Sequence, residues 1–579
     1  MSFVISRFVL LSVCLLLVWP WTVAADCGAA THSIHQIKGY AGEPLEAGKQ
    51  VMVEGVVTAA FPASEGINGF WIQHGPRNEG RLPAGIFVYV PEVDDQVAPL
   101  VRPGQRLRLQ AYTGVYRGQQ QLTRMHDVVD CGEVGLPEPV ALRLPPDTPL
   151  ARLEGLKLYF PQTLTVTDNA RLARFGTLGL SAGGRVFRPG NFAEAEAADN
   201  RGRSIILDDG SYQSWPSPPP WLDEQGTRRV GSEIEALTGV LAWAFDDYRI
   251  HPLRTPRFID ANPRPGPPSA PVPGAVRLAA FNLQNYFITP RQRGARSGAG
   301  LARQRERLVA AIKALDTDIV ALVEVENDIA AVTDLMTHLN RALPAGRQYR
   351  HLTGPRNAGD DAIKVALIYR PVRLESLGPL QRDSASVHLR PPAVGRFRLA
   401  GKAGDGVPQA GFAVAAVHGK SKTRCPPVGD IDLGQGCWNR LRTRQSRALL
   451  DFSEKLDEAL LVVGDINAYG AEDPVSVFTA AGYVDLIAAH VPPERRYTYV
   501  YRGESGYLDH LLAPPELARR VHRAGIWHIN ADEPWFLAYD GRYPGAARGT
   551  VFRSSDHDPV WLDLCLQPDG DCRASHESL

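Results

Sequence analysis

The sequence has no excess of charge of either sign, which narrows the ways in which it could bind a polyanion. Its 63 lysines and arginines balance 63 aspartates and glutamates, so the formal net charge at pH 7 is +0. Proteins that coat nucleic acid through charge alone carry a basic excess. The balance therefore argues against loose, charge-driven coating and leaves room only for a local basic groove.

Cysteine is scarce, and none of the seven cysteines stands in the CxxC spacing that is typical of zinc sites. Cys14 lies in an N-terminal apolar stretch. The remaining six are an even number, which in an exported chain favours three disulfides. Sequence alone leaves their connectivity open, but proximity and domain logic favour one set. The favoured pairs are Cys27–Cys131, Cys425–Cys437 and Cys565–Cys572.

Long apolar runs are also lacking, apart from one stretch near the N-terminus. Arg7 precedes the run VLLSVCLLLVW, and small residues follow it. A basic start, an apolar run and a small-residue exit are the pattern of a secretory signal peptide; the run is short for a membrane span of ~20 residues and Pro20 interrupts its end. We therefore expect a signal peptide at 1–25 and a secreted protein, extracellular or periplasmic. No hydrophobic tail follows Leu566, so we expect no C-terminal membrane anchor.

The first part of the mature chain has the pattern of an all-β fold. Short alternating strands such as VMVEGVVTA and GIFVYV, punctuated by Gly and Pro, predict a small barrel or sandwich. Their order resembles an OB-fold, a barrel that often binds single-stranded nucleic acid by stacking bases on aromatic rings. Here the candidate rings are Phe70, Trp71, Phe87 and Tyr89. The alternative is that these rings belong to the core or to a domain contact.

Two later changes of pattern divide the rest of the chain. The phrase RVGSEIEALTGVL echoes RPGQRLRLQAYTGV, which hints at a second, divergent copy of the barrel. After a proline-rich stretch, strands alternate with helices, which predicts an α/β sandwich. The predicted divisions are a signal peptide at 1–25, an OB-like β domain at 26–135, a second β-rich module at 136–261, a linker at 262–274, a catalytic α/β domain at 275–566 and a tail at 567–579.

Polar residues end several apolar runs of the α/β region. In the stretch SSDHDPV, Asp556 stands beside His557. Three upstream stretches have the pattern of buried strands that end in Asn, Glu or Asp: LAAFNLQNYF, DIVALVEVEN and LLVVGDINAYGAEDP. A carboxylate that can hold a divalent cation, next to an imidazole that can take a proton from water, suits metal-assisted phosphodiester hydrolysis. We expect these strand ends to converge on one metal and phosphate site, although each residue taken singly could be a turn or core residue.

Taken together and in order, these residues resemble the signature of the endonuclease/exonuclease/phosphatase superfamily, which includes pancreatic-type deoxyribonuclease and the apurinic endonucleases. The wider pattern, with GKSK, GQGCWN, EDP and the N-terminal β modules, is similar to bacterial extracellular nucleases of the ExeM/NucH type. The resemblance implies a multidomain fold, with N-terminal all-β OB-like modules before an α/β sandwich of this superfamily. The matching residues are Asn282, Glu324, His418, Asp465, Asn467, Asp509, Asp556 and His557.

The resemblance assigns the central roles. Glu324 and Asp556 are expected to bind Mg²⁺ or Mn²⁺, with Ca²⁺ as a third candidate, since hard cations prefer carboxylates. His557 is the candidate general base, and Asp509 would hold its ring in the productive tautomer. Asp465 either orients the attacking water or binds a second cation; sequence leaves both roles open.

The remaining expectations concern phosphate contacts. His418 would donate to the phosphate or the leaving oxygen, and Asn282 and Asn467 would donate to phosphate oxygens or fix neighbouring carboxylates. Glu326 is a rival to Glu324, because residues two apart share one side of a strand. In the loop of residues 419–439, Lys420, Lys422 and Arg424 are expected to grip the nucleic-acid backbone; the alternative is a solvated surface loop.

Two departures from the family pattern surround His418. Val417 stands where the extracellular nucleases usually have Asn. The glutamate that pairs with this histidine in pancreatic-type enzymes has no evident counterpart, and Asp361 is the candidate substitute.

The function expected from the sequence is a secreted, metal-dependent nuclease that cleaves DNA with little sequence preference; whether RNA is also cleaved is left open by the sequence. No stable protein partner is implied. The first alternative is a secreted phosphatase or phosphodiesterase of small or lipid phosphoesters, since one fold serves many substrates. The second is a non-catalytic protein that binds nucleic acid.

Overall fold

The structure is a computed structural model that describes residues 27–40, 42–61, 66–74, 82–91, 98–192, 200–354, 358–401, 411–543, 549–567 and 572. The predicted signal peptide and Cys14 lie outside the described residues, as does most of the predicted tail. Within the described parts, no helix is both long and apolar enough to cross a membrane. The chain divides into two compact units, the first consisting of Met1–Ser64, Asn68–Glu138 and Glu154–Leu156 and the second of the remainder.

The first unit is a closed five-stranded barrel with the strand order β1-β2-β3-β5-β4, in which β4 pairs back onto β1. In β4 buried residues alternate with half-buried ones, as the sequence pattern predicts, whereas β2 and β3 are buried along nearly their whole length; Val53, Ile72 and Leu109 fill the interior. The OB-like character of the barrel stays a prediction. Its elements are α1 (Ile34–Ile37), β1 (Gln50–Phe61), β2 (Gly69–His74), β3 (Ala84–Tyr89), β4 (Gln105–Tyr116) and β5 (Gln119–Glu133).

Three of the four aromatic residues proposed for base stacking are buried, and one of them, Phe70, belongs to the barrel core. Phe70, Trp71 and Phe87 are 2%, 1% and 3% exposed, and the rings of Trp71 and Phe87 lie 5.1 Å apart. Stacking of bases on these three rings is therefore a wrong prediction, because rings buried to this extent have no face open to a base. Tyr89 is half-buried.

The second unit begins with a nine-stranded sheet, which we call the module sheet, with the strand order β14-β11-β8-β9-β10-β13-β12-β7-β6. The two echoing phrases fold differently: the first lies in the single strand β4, whereas the second is divided between β11 and β12. The elements are β6 (Val140–Ala141), α2 (Leu150–Leu153), β7 (Lys157–Tyr159), β8 (Leu164–Asp168), α3 (Leu172–Phe175), β9 (Thr177–Ala182), β10 (Ser204–Asp208), β11 (Glu233–Ile234), β12 (Thr238–Ala244), β13 (Asp247–Pro252) and β14 (Phe258–Ile259).

Two further sheets face each other across the main hydrophobic core, to which Leu278, Val323, Val414 and Val463 contribute. One has the order β17-β18-β16-β15-β29-β28, and the other has β19-β21-β22-β23-β27-β24 with β20 on β21. Helices α4 and α5 pack on the outer face of the first sheet, whereas α6 and α7 pack on the second. This is the layered α/β arrangement that the strand and helix alternation predicts.

The strands of this region are β15 (Val276–Tyr286), β16 (Ile319–Glu326), β17 (Arg350–His351), β18 (Ile363–Tyr369), β19 (Leu374–Ser376), β20 (Gln381–Arg382), β21 (Ala393–Leu399), β22 (Phe412–His418), β23 (Leu460–Asp465), β24 (Val484–Asp485), the hairpin β25 (Tyr499–Tyr501) and β26 (Glu504–Gly506), β27 (Asp509–Ala513), β28 (Val521–Ile526) and β29 (Val560–Leu564). The helices are α4 (Gly298–Leu315), α5 (Ile329–Arg341), α6 (Asn439–Ser453), α7 (Asp473–Ala480), α8 (Leu486–His490) and α9 (Pro515–Ala518).

The disulfide prediction is confirmed in full. The bonds join Cys27 to Cys131, Cys425 to Cys437, and Cys565 to Cys572, with Cα atoms 5.5, 5.3 and 5.3 Å apart. The domain limits given above stay predictions.

Candidate active site

Strand pairing brings the polar strand ends to one edge of the sandwich. β22 and β23 run parallel and end together, with His418 opposite Asp465, and β27 starts there with Asp509 opposite Asp465. In the facing sheet β15 and β16 are also parallel, with Asn282 opposite Val323. Parallel strands end at a common edge, so apolar runs that end in polar residues deliver those residues to one place.

An irregularity in two neighbouring strands aims Glu324 into the site. Glu324 has a φ of 63°, and the pairing of β16 with β18 shifts between Leu322 and Val325. Gln284 and Asn285 also have positive φ, at 53° and 57°, where β15 shifts against β16. The backbone N–H of Asn285 then donates to Glu324 Oε2 at 2.9 Å. Such backbone conformations cost on the order of 1–3 kcal/mol each and are characteristic of functional sites.

This irregularity also separates the two rival glutamates. Glu326 accepts the N–H groups of Ile288 and Thr289 at 2.8 and 3.1 Å, so it holds the chain that follows β15. Glu324 instead has its Oε1 atom 3.9 Å from His418 Nε2. Of the two glutamates, Glu324 is therefore the one that lies next to another predicted site residue, His418.

Two carboxyl groups at this edge, those of Glu324 and Asp465, have raised pKa values. Burial, followed by the charge of Asp556, raises the pKa of Glu324. Burial also raises the pKa of Asp465 to about 7, with Asp509 and Glu324 adding to the rise and His557 opposing it. Burial and neighbouring carboxylates make it unfavourable for these groups to be ionised, and a bound cation would offset the repulsion between their charges.

The oxygen donors suit a hard divalent cation. Among the described residues, no group of three or more His, Cys, Asp or Glu side chains is arranged to hold a metal ion. Mg²⁺ in phosphate sites is commonly held by one or two carboxylates, and waters and substrate phosphate complete its shell. Glu324 and Asp556 fit that requirement as a pair.

The predicted general base is paired with its predicted partner. His557 Nδ1 lies 2.7 Å from Asp509 Oδ2, and Thr498 Oγ1 donates to the same oxygen at 2.7 Å. Burial favours the neutral ring, but the charge and hydrogen bond of Asp509, together with Asp465 and Asp556, raise the pKa of His557 well above its usual range. The ring of Tyr499 lies 4.7 Å from that of His557. The Asp509 pairing leaves Nε2 as the ring nitrogen available to exchange a proton.

His418 sits between the two carboxylates in a different electrostatic state. Its Nε2 atom is 3.6 Å from Asp465 Oδ2, and within the described part of the chain no group hydrogen bonds its Nδ1 atom. Burial, followed by the charges of Arg390 and His557, lowers the pKa of His418 well below its usual range. The pKa values of the two histidines are therefore shifted in opposite directions, with the protonated form favoured at His557 and the neutral form at His418.

Asp361 does not replace the missing glutamate partner of His418. It accepts from Arg293 at 2.9 Å and from Arg390 at 3.2 Å. Arg390 in turn donates to the backbone carbonyls of His418, at 3.2 Å, and of Gly419. The prediction that Asp361 takes the place of the missing glutamate is thus wrong. Asp361 pairs with Arg390, which holds the backbone at the end of β22, and Asp361 does not hydrogen bond to the His418 ring.

The two asparagines fix Asp465. Asn282 Nδ2 donates to Asp465 Oδ2 at 3.3 Å, and the N–H of Asn467 donates to Asp465 Oδ1 at 2.8 Å. Asn467 Nδ2 donates to the Gly419 carbonyl at 3.2 Å. Of the two roles expected for these residues, the contacts favour the fixing of a neighbouring carboxylate.

The basic loop contains one exposed cation and two that are engaged. Lys422 forms an ion pair with Glu472 and donates to Gln435 O at 2.7 Å, and burial lowers its pKa to about 8. The Lys420 ammonium lies 5.1 Å from the ring of Trp438. Arg424 is exposed. Lys422 is therefore committed to holding the loop, whereas Arg424 is accessible to a polyanion.

Sequence reasoning missed Thr498, Tyr499 and Arg390. Thr498 lies in a stretch, YTYVYRGES preceded by charged residues, that reads as an ordinary hairpin. Arg390 follows no motif at all. Their contacts with Asp509, His557 and His418 depend on tertiary structure.

Comparison with known proteins gives one family model that matches this part of the chain. Residues 279–557 match the model of a family described as Endonuclease/Exonuclease/phosphatase family. This range contains every residue of the predicted constellation. No curated protein matches the sequence.

Solved structures are similar over half of the chain. One is an endonuclease/exonuclease/phosphatase family protein from Bacteroides thetaiotaomicron, at 15% identity, covering 51% of this chain and 98% of that one with a TM-score of 0.34. Another is the human Nocturnin catalytic domain with bound sulfate, at 16% identity, covering 51% and 95% with a TM-score of 0.32. A third is D. rerio TDP2 complexed with a single-strand DNA product, at 15% identity, covering 50% and 98% with a TM-score of 0.32.

Proposed function

The chain carries a domain of the endonuclease/exonuclease/phosphatase family at residues 279–557, and from this premise we propose that it is a secreted, metal-dependent nuclease. Its substrate would be DNA, with RNA as a further substrate, cleaved with little sequence preference. The observation that carries the proposal is the His557–Asp509 pair at 2.7 Å beside the Glu324 and Asp556 carboxylates. A base and a cation site at one strand edge suit phosphodiester hydrolysis.

The cation would be Mg²⁺ or Mn²⁺, held by Glu324 and Asp556, and would polarise the phosphate and offset the charge that grows on it. A positive charge next to Asp556 would also oppose protonation of His557, because it cancels part of the field that raises the pKa of that ring. His557 would then be free to accept a proton at Nε2.

The side chains would divide the remaining work. His557 accepts the proton of the attacking water, while Asp509 holds its Nδ1–H and so fixes the tautomer. His418, largely neutral, donates from Nε2 to the phosphate or to the leaving oxygen. Asp465, fixed by Asn282 and Asn467, orients the water. The water, the phosphate and the leaving oxygen would then be held in line, which is the main requirement of phosphoryl transfer.

Two surface features support a polymeric substrate and an extracellular setting. Arg424 is exposed beside the site and Lys420 lies at the face of Trp438, which gives a local cationic patch on a chain of zero net charge. Such a patch positions a phosphate backbone without specifying sequence. Disulfides persist in oxidising compartments, and the three pairs support secretion.

The test compares two classes of substrate on the purified protein. Supercoiled plasmid and p-nitrophenyl phosphate are each incubated with Mg²⁺ or Mn²⁺ and with EDTA. The proposal expects metal-dependent nicking of the plasmid and little release of nitrophenol. His557→Ala should lose cleavage, whereas His351→Ala, on the edge strand β17, should keep it. Phosphate release from the small ester with an intact plasmid would favour the phosphatase alternative, and binding without cleavage would favour the binding protein.

A further inference from the structure

The hairpin β25 and β26 supports the proposed base, and residues of the module sheet region hold that hairpin. Thr498, immediately before β25, donates to Asp509 Oδ2 at 2.7 Å. Its backbone carbonyl accepts from the N–H of Asp558 at 2.8 Å, next to His557. The position of Thr498 therefore sets the position of both members of the His557–Asp509 pair.

Residues 185–191, which follow β9, contact this hairpin through a backbone bridge between Phe187 and Ser505. The N–H of Arg188 donates to the Ser505 carbonyl at 2.9 Å, and the N–H of Ser505 donates to the Val186 carbonyl at 2.8 Å. Arg188 also forms a salt bridge of 2.6 Å with Glu504. These contacts anchor β26 at Glu504 and Ser505.

Asn191 closes the base of the hairpin from the same segment. Its Nδ2 atom donates to the Arg496 carbonyl at 3.0 Å, and its Oδ1 atom accepts from the N–H of Tyr507 at 3.0 Å. The side chain is 1% exposed. One amide thus ties together the two chain segments that lead to Thr498 and to Asp509, two residues from each.

We propose that Asn191 is a positioning residue for the His557–Asp509 pair, so that the region of the module sheet forms part of the catalytic apparatus. The proposal deepens the proposed function and rests on it. Asn191 touches neither residue of the pair, and it acts by fixing where Thr498 and Asp509 meet. Loss of such alignment slows chemistry without a matching loss of substrate binding.

The test is Asn191→Ala, with Asn340→Ala as the matched control. Asn340 makes the same two contacts, donating to the Tyr349 carbonyl at 2.9 Å and accepting from its N–H at 2.7 Å, at the end of α5. The Asn191 variant should lose kcat for plasmid cleavage on the order of 10²-fold with KM changed less than about threefold, whereas the control should keep both. Wild-type kcat in Asn191→Ala, or an equal loss in the control, would overturn the proposal.

A double variant separates positioning from general destabilisation. If Asn191 acts through Thr498, then Asn191→Ala combined with Thr498→Val should be no slower than Thr498→Val alone. Losses that multiply would contradict the proposal. Should Asn191→Ala fail to fold, Asn191→Asp carries the test, because it keeps the acceptor for Tyr507 and loses only the donor to Arg496.

Hydrogen exchange gives a result that does not depend on activity. Amides of residues 496–509 should lose protection in Asn191→Ala and keep it in Asn340→Ala. Unchanged protection would overturn the bracing role even if the protein is a nuclease. Conversely, an inactive wild-type protein with the expected exchange pattern would contradict the proposed function and leave the bracing of the hairpin established.

Discussion

His557 and Asp509 lie 48 residues apart in the chain, yet Nδ1 of the first is 2.7 Å from Oδ2 of the second. The same carboxylate oxygen accepts from Thr498 Oγ1, so Asp509 Oδ2 is held by two side chains. Both side chains of the pair are almost fully buried, at 8% and 1% exposed. A carboxylate fixed in this way can hold one tautomer of the imidazole throughout a reaction.

Asp509→Asn should reduce kcat on the order of 10³-fold, because an amide can present its donor to Nδ1 and stabilise the wrong tautomer. Asp316→Asn is the matched control: this aspartate pairs with Arg347 and Arg370 near the start of β16. The measurement is the rate of plasmid cleavage at saturating substrate and metal. An Asp509→Asn rate within a few-fold of wild type would remove Asp509 from its orienting role.

Glu324→Gln and Glu326→Gln should behave in opposite ways. Burial and Asp556 raise the pKa of Glu324, so its charge is destabilising in the metal-free protein, and the amide should raise Tm while abolishing most activity. Glu326→Gln keeps an oxygen acceptor for Ile288 and Thr289, so it should retain activity and change stability by about 1 kcal/mol or less. Thermal melts in EDTA and cleavage at increasing Mg²⁺ check both; the reverse pattern would make Glu326 the ligand.

Stability should depend on pH through the buried pair of His510 and Asp485, whose Nδ1 and Oδ2 atoms are 3.9 Å apart. Burial would lower the pKa of His510, but Asp485 raises it above its usual 6.5. Although burial opposes the shift, His510 and local hydrogen bonds lower the pKa of Asp485 below 3.8. The raised pKa of His510 stabilises the folded protein fully at pH values below the pKa of the unfolded histidine, and this stabilisation is lost as the pH rises through the folded-state pKa. The lowered pKa of Asp485 stabilises the folded protein fully above the pKa of the unfolded aspartate, and this stabilisation is lost as the pH falls through the folded-state pKa.

The His510–Asp485 pair should therefore make its full contribution to the stability of the folded protein between about pH 4 and pH 6.5. Asp485→Asn should destabilise the protein more at pH 5.5 than at pH 9, as measured by denaturant unfolding at both values. The amide can still accept from Ile487 and Ala488 at the start of α8, so helix capping is retained. An equal loss at both pH values would show that the charge interaction contributes nothing.

Removing the Cys425–Cys437 bond should raise KM for plasmid with little change in kcat. The bond joins residues 12 apart in sequence and closes a loop beside Lys420 and Arg424. Its loss should remove up to about 3 kcal/mol of the free energy that keeps the loop ordered. Cys425→Ser with Cys437→Ser is compared with Cys565→Ser and Cys572→Ser, which remove a bond near the C-terminus. Equal KM values in the two double variants would mean that the loop does not grip the substrate.

Much of the site could be predicted because strand ends are visible in sequence. Apolar runs that stop at Asn282, Glu324, His418 and Asp465 had to end at one edge once their strands paired in parallel. Disulfide pairing followed from proximity for Cys425 with Cys437. The choice between Glu324 and Glu326 depended on a backbone irregularity that strand periodicity does not contain.

Other features were beyond sequence reasoning for physical reasons. Phe70 and Trp71 are neighbours on β2 and so point to opposite sides of the strand, yet both are buried, and an aromatic-rich pattern fits buried packing as well as a binding surface. Asn191 and Thr498 are 307 residues apart in sequence. Asn191 reaches the hairpin beside Thr498 only through tertiary contacts with Arg496 and Tyr507. Asp361 was misassigned because an arginine, Arg390, stands in the place of the expected direct contact.

The most direct measurement is cleavage of supercoiled plasmid by the purified mature protein before EDTA, in EDTA, and after Mg²⁺ or Mn²⁺ is restored. His557→Ala is carried through the same three steps. The account predicts nicking that stops in EDTA and returns with the cation for the wild-type protein, and no nicking at any step for the variant. Cleavage that continues in EDTA, or that persists in His557→Ala, would contradict it.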